Sequence, residues 1–200
     1  MDAPPPLAAL AWLALALAVA RLLLVLPCAR RRRRALDGPL STMVVFGSGG
    51  HTAEMLGLLR ALPAARYAPL TYVAAHSDTT SEPRAKAARA IPADAQLLRI
   101  PRSREVGQPL LHAVLPTLRA LRATLRMLRD VRPGVLLVNG PGTCVPLCVA
   151  AFCLNYAGVT DTRIVFVESV CRVTSLSLSG RLLYWFADQV QVQWPELKAR

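Results

Sequence analysis

Lysine is nearly missing from this 200-residue chain. Lys86 and Lys198 are the only two, and arginine carries almost all of a formal charge of +12. Aromatic residues make up only 6%, and none are interleaved with the basic clusters. That weighs against nucleic acid as a partner. The five cysteines, Cys28, Cys144, Cys148, Cys153 and Cys171, form no C-x-x-C pair. They read as reduced core residues of a cytosol-facing domain rather than a disulfide framework. Cys144 and Cys148 stand one helical turn apart, but no histidine or further cysteine pair completes a ligand set, so no metal is expected. Two nucleotide motifs are also incomplete. A phosphate loop must end in Gly-Lys-Ser/Thr, and here the residues are Gly50-His51-Thr52. The G-x-G-x-x-G pattern begins at Gly47 and Gly49 but meets Thr52 where its third glycine belongs. ATP and nicotinamide chemistry are therefore not favoured.

What the chain has in excess is apolar residues, 54% of the total. A run from Leu7 to Leu26 is interrupted only by Arg21. As a helix it measures about 30 Å, enough to cross the hydrocarbon core of a bilayer. Arg21 lies near one end, from which it can snorkel to the interface. A cleaved signal peptide would start with basic residues, whereas this chain starts Met-Asp-Ala-Pro-Pro-Pro. A buried core helix would show a polar face, and this run shows almost none. The flanks set its orientation. Asp2 precedes it, while Arg30, Arg31, Arg32, Arg33 and Arg34 follow it. The positive-inside rule then puts residues 1–6 in the lumen, 7–26 across the membrane, and a polybasic linker 27–42 and domain 43–200 in the cytosol. The arginine run can also hold anionic headgroups.

Beyond the linker, strand-like and helix-like runs alternate. Strands are predicted over 43–46, 70–75, 96–100, 135–138, 164–167 and 190–193. Helices are predicted over 51–62, 110–130, 145–155 and 175–187, and 77–92 reads as a mobile loop or a short exposed helix. This is the pattern of an α/β fold: a Rossmann-like parallel sheet with helices on both faces. In the helix over 110–130, Leu115, Leu118, Leu121, Leu125 and Leu128 line one side, and Arg119, Arg122, Arg126 and Arg129 another. The basic face is either solvated or laid along an anionic bilayer.

Three turns stand out as candidate chemistry. Gly47, Ser48, Gly49 and Gly50 link the first strand to its helix. Glycines let backbone approach a ligand, and a helix N-terminus favours an anion. His51 opens that helix, and Thr52 follows it. Asn139-Gly140-Pro141-Gly142-Thr143 is a second glycine turn, with Thr143 placed to cap the next helix. Glu168-Ser169 ends the strand at 164–167. In a doubly wound sheet of order 3-2-1-4-5-6 all three turns lie on one rim, at the reversal point where ligands bind.

The segments FGSGGHTAEM, VNGPGTCVP and FVESVCRVTSLSLSGRLLYWFADQVQVQWPELK together resemble the asparagine-linked glycosylation protein 14 family. That family is the membrane-anchoring subunit of the transferase adding the second N-acetylglucosamine to the dolichol-linked precursor of protein N-glycosylation. It is also similar to the N-terminal half of the bacterial lipid-linked transferase that adds N-acetylglucosamine during peptidoglycan synthesis, a GT-B enzyme of two Rossmann-like halves. The resemblance implies an ER-membrane subunit, with its domain on the cytosolic face, that is inactive alone. A soluble partner would hold the donor UDP-GlcNAc, and no cofactor is expected. It also implies that Gly47, Ser48, Gly49, Gly50, His51 and Thr52, together with Gly140, Gly142, Thr143 and Ser169, face the diphosphate of dolichyl-diphosphate-GlcNAc. His51 would act as base or phosphate contact, and Glu168 as a catalytic carboxylate or a group that orders its loop. In that family a short tail beyond Trp194-Pro195 helps hold the partner. This sequence stops at Arg200, so a weaker hold on the partner is the expectation. The alternative is a non-catalytic membrane adaptor with vestigial glycine loops.

Overall fold

The computed structural model describes residues 6–31, 38–92, 97–101, 114–140 and 142–198. Short apolar runs bounded by turns become strands: β1 (Thr42–Phe46), β2 (Leu70–Ala75), β3 (Leu97–Ile100), β4 (Val135–Asn139), β5 (Arg163–Val167) and β6 (Gln189–Gln191). They form one sheet of order β3-β2-β1-β4-β5-β6, every pair parallel. Parallel strands need crossovers, and these cover both faces, so the central strands are near-continuous apolar runs, broken only by Thr42 at the start of β1 and Asn139 at the end of β4. All five residues of β1 and of β4 are buried.

The helices are α1 (Pro6–Val25), α2 (Pro27–Arg31), α3 (Gly50–Ala61), α4 (Ser81–Ala87), α5 (Val114–Val131), α6 (Cys144–Tyr156), α7 (Leu178–Leu183) and α8 (Pro195–Lys198). Met55 and Leu56 of α3 and Ala85 of α4 pack with Val44, Phe46 and Tyr72 on one face of the sheet. Leu128 of α5, Leu147, Cys148 and Leu154 of α6, and Leu183 of α7 pack with Met43, Leu136, Ile164 and Phe166 on the other. The segment 77–92 forms the short helix α4. Asp78 starts it by accepting the backbone N–H groups of Thr80 and Ser81 on one carboxylate oxygen.

Several expectations need correction. The helix predicted over 175–187 is only Leu178–Leu183, because Ser177 caps it, accepting the Gly180 N–H at 2.9 Å. In α5, Leu115 and Leu118 are 57% and 55% exposed. Leu128 is buried in the core and Leu121 and Leu125 pack against it as predicted, but the other fully buried positions of α5 are the small residues Ala120 and Thr124. Thr124 donates to the Leu121 carbonyl at 2.9 Å, so its hydroxyl is satisfied within the helix. Only Cys144 and Cys148 are core cysteines. Cys28, Cys153 and Cys171 are exposed, though all five are free thiols.

α1 is long and apolar enough to cross a membrane, counted over Ala8–Val25. It includes Leu7, and Leu26 follows it directly. Arg30 and Arg31 fall in α2, while Arg32, Arg33 and Arg34 lie outside the described residues, as do 110–113 and Pro141. Arg21 does not simply reach outward. Its Nε donates to the Tyr156 carbonyl at 2.8 Å and its Nη2 to the Asn155 carbonyl at 2.6 Å, at the C-terminal end of α6.

Candidate functional site

The strand order reverses between β1 and β4, and the loops leaving their carboxyl ends meet above the sheet. Gly49, at φ +71°, turns the chain into α3, and no side chain caps that helix. Its first N–H groups therefore lack intrahelical partners, and the helix dipole concentrates positive potential there. Ser48, Gly49 and Gly50 are exposed. A Cβ added to Gly49, Gly50 or Gly142 would meet nothing within 4 Å. The result is an open shelf of backbone beside a helix N-terminus.

His51 borders that shelf, its side chain 30% exposed. Gly140, at φ +76°, passes directly beneath its ring. A Cβ on Gly140 would lie 2.2 Å from His51 Nδ1, so only glycine allows the two loops to touch. His51 Nδ1 lies 3.3 Å from Glu54 Oε2. Three residues apart on a helix, the two side chains share a face.

Glu54 joins the whole rim. Its Oε2 also accepts from Asn139 Nδ2 at 3.0 Å, and its Oε1 from Ser169 Oγ at 2.7 Å and Val170 N at 3.2 Å. One carboxylate thus binds α3, the end of β4 and the loop after β5. Asn139 Nδ2 donates in addition to the His51 carbonyl at 3.2 Å. Asn139 Oδ1 is the one buried side-chain polar atom among the described residues without a hydrogen-bond partner. Left unmet, such an acceptor costs about 1–3 kcal/mol, so the position calls for a further partner such as a water or a ligand. Sequence reasoning passed over both residues. Glu54 had a readable signal, its i+3 spacing from His51. Asn139 had one too, as the polar end of an apolar strand.

Other predicted residues face inward. Thr52 is fully buried; its hydroxyl lies 2.6 Å from the Gly47 carbonyl and 2.7 Å from Ser81 Oγ, tying the glycine loop to α4. Ser81 is in turn held by Asp78. Burial works against ionisation of Asp78, but hydrogen bonds from Ser81 and Thr80 outweigh it and hold its carboxyl below the ordinary value. Thr143 is buried and, contrary to expectation, its side chain does not cap α6, because its own backbone is already helical. Glu168 is 1% exposed. Its Oε2 accepts from Ser177 N at 2.8 Å and Ser177 Oγ at 3.0 Å, and its Oε1 from Ser169 N at 3.1 Å. It lies under the loop 169–177 and fixes that loop's shape, while Ser169 turns up to Glu54. Trp194 Nε1 donates to the Val170 carbonyl at 2.7 Å, pinning the same loop from outside. No group of three or more metal-ligating side chains occurs among the described residues.

Comparison with known proteins agrees with this architecture. Residues 42–200 match the family model "Oligosaccharide biosynthesis protein Alg14 like". The UDP-N-acetylglucosamine transferase subunit ALG14 of Rattus norvegicus is 43% identical over 170 residues, covering 80% of this chain and 78% of the relative. The subunit of the same name from Yarrowia lipolytica is 40% identical over 190 residues, covering 92% and 88%. Among solved structures, MurG of Acinetobacter baumannii superposes with a TM-score of 0.58 at 18% identity. The match covers 80% of this chain but 43% of MurG, so the chain corresponds in fold to less than half of that protein. With its sheet order, its paired glycine turns and two-fifths identity across most of its length, this chain belongs to the Alg14-like family of oligosaccharide-biosynthesis proteins.

Proposed function

We propose that the chain is the membrane-anchored, acceptor-side subunit of a two-part UDP-GlcNAc transferase. It adds the second GlcNAc to dolichyl-diphosphate-GlcNAc on the cytosolic face of the ER. A soluble partner subunit holds the donor, and α1 holds the assembly at the membrane. Family membership supports the transferase role, and the fold supports a half-enzyme. The observation that carries the proposal is the Glu54 carboxylate, which locks three loops into one rim around an open shelf of backbone beside the N-terminus of α3.

The diphosphate of the acceptor sits on the backbone of residues 48–50, against the positive end of α3. The acceptor sugar hydroxyl attacks the anomeric carbon of the donor sugar, whose bond to UDP breaks. His51 receives the hydroxyl proton. Glu54 accepts the Nδ1 proton of His51, fixing the tautomer and leaving Nε2 to act as base. Glu168 acts through structure, holding the loop that presents Ser169.

The test is co-expression with the donor-binding subunit and a transferase assay on isolated membranes. Activity is expected from the pair and not from this chain alone. Activity from the single chain would overturn the division of labour. A His51→Ala complex that assembles and retains full activity would favour the adaptor reading.

A further inference from the structure

Resting on the membrane-anchored reading above, we propose that the globular domain is itself seated in the bilayer surface. The outer face of α7 and the Tyr184–Trp185 corner enter among phospholipid acyl chains beside the base of α1.

The argument starts from Arg21. It is the one charged residue of α1, and its guanidinium is bound to the last carbonyls of α6. A cation at the negative end of a helix is well placed. The Tyr156 hydroxyl donates back to the Ala18 carbonyl at 3.2 Å. The chain turns away from α6 at Gly158, φ +75°, whose absent Cβ leaves 3.3 Å to Arg21 Nη2. α1 and the domain are therefore latched together at the level of Arg21.

Depth follows from length. The fifteen residues before Arg21 give about 22 Å of helix, short of the ~30 Å hydrocarbon core. The core must extend past Arg21, and the residues there suit it: Leu22, Leu23 and Leu24 are all exposed. The Asn155 and Tyr156 carbonyls take two of the five Arg21 N–H groups, which lowers the cost of holding Arg21 at the inner edge of the hydrocarbon instead of out in water. The domain surface level with Leu22–Leu26 then lies at the same depth.

That surface carries a row of large apolar and aromatic side chains. A cavity of about 370 Å³ runs between Leu26, Pro27 and Cys28 on one wall and Tyr184, Trp185, Ala187 and Val190 on the other. Tyr184 is 61% and Trp185 76% exposed, their rings edge to face at 6.0 Å. Leu178 and Leu182 lie four residues apart on the outward side of α7, with exposed Arg181 beside them and Trp185 in the turn just beyond the helix. Aromatic rings and an arginine bordering an apolar stripe match the chemistry of the headgroup boundary. The cavity continues directly from a membrane helix, so bilayer lipid is the occupant the position supplies.

The test uses the full chain in vesicles of phosphatidylcholine and phosphatidylserine. Trp12→Phe and Trp194→Phe leave Trp185 as the sole reporter. Phospholipids brominated near the headgroup should quench its emission several-fold more than those brominated near the chain end. Unquenched, water-like emission from chain that still floats with the vesicles would overturn the seating while leaving the anchor intact. Failure to float would overturn the anchor reading itself. Arg21→Leu should stay with the vesicles and lose most of the quenching; unchanged quenching would overturn the latch. Quenching abolished when the donor-binding subunit is added would show that a protein, not lipid, covers this face, and would also overturn the proposal.

Discussion

Glu54 makes four contacts with two oxygens, and its neighbours differ in how they respond to its loss. His51→Ala removes the proposed proton acceptor and should lower activity of the assembled enzyme on the order of 10²- to 10⁴-fold. Glu54→Gln can still accept from Ser169 and Val170 but turns an NH₂ toward Asn139 and His51. A smaller loss, about 10- to 100-fold, is expected. Because the two side chains act as one unit, the double variant should be no worse than His51→Ala alone. Initial rates of the four forms, measured on the same membranes, check this. Additive losses would separate Glu54 from His51. Asp78 gives a pH test. Its folded carboxyl lies below the ordinary 3.8, so it contributes stability above that pH and loses it as pH falls through the folded value. Asp78→Asn should flatten that acid limb in thermal melts.

At the level of elements, the two glycine turns depend on each other. Gly140→Ala places a methyl group inside the His51 ring and a left-handed φ on a residue that resists it, about 1–2 kcal/mol for the backbone alone. Both the melting temperature and activity should drop. Gly142→Ala meets open space, so its stability should change by about 0.5 kcal/mol or less, which makes it the control in the same melts. The strands were legible as short apolar runs bounded by turns, whereas their order rested on taking the 3-2-1-4-5-6 pattern, which alternation alone leaves open. α7 was overestimated because its start is decided by Ser177, which Glu168 holds from nine residues away. No local periodicity carries that. The buried side of α5 was read correctly at Leu121, Leu125 and Leu128 but not at Leu115 and Leu118, nor at the small residues Ala120 and Thr124. Leucine spacing marks an apolar stripe, but closest approach belongs to Ala120 and Thr124. The rim was legible as three turns on one edge. Its tie was not, because an exposed-looking glutamate on a helix resembles any other until its partners from β4 and the loop after β5 arrive.

For the whole molecule, burial divides the thiols. Cys144, pushed up to about 12 by burial, and Cys148, also raised by burial, should resist maleimide until the protein unfolds. Cys153 and Cys171 are exposed on the domain. In sealed microsomes a membrane-impermeant maleimide should label them from outside; protection there, relieved by detergent, would place the domain in the lumen. The same body has a fixed reach. α6 touches the glycine rim at Cys144 and the Arg21 latch at Asn155–Tyr156, so its thirteen residues hold the mouth of the enzyme about 20 Å from its mooring. On the proposed function, a substrate tethered in the same bilayer would be met across that gap, with α6 as the spar that sets it. Shortening the spar by one turn would bring the mouth about 5 Å closer to its mooring without touching His51, Glu54 or the glycine turns.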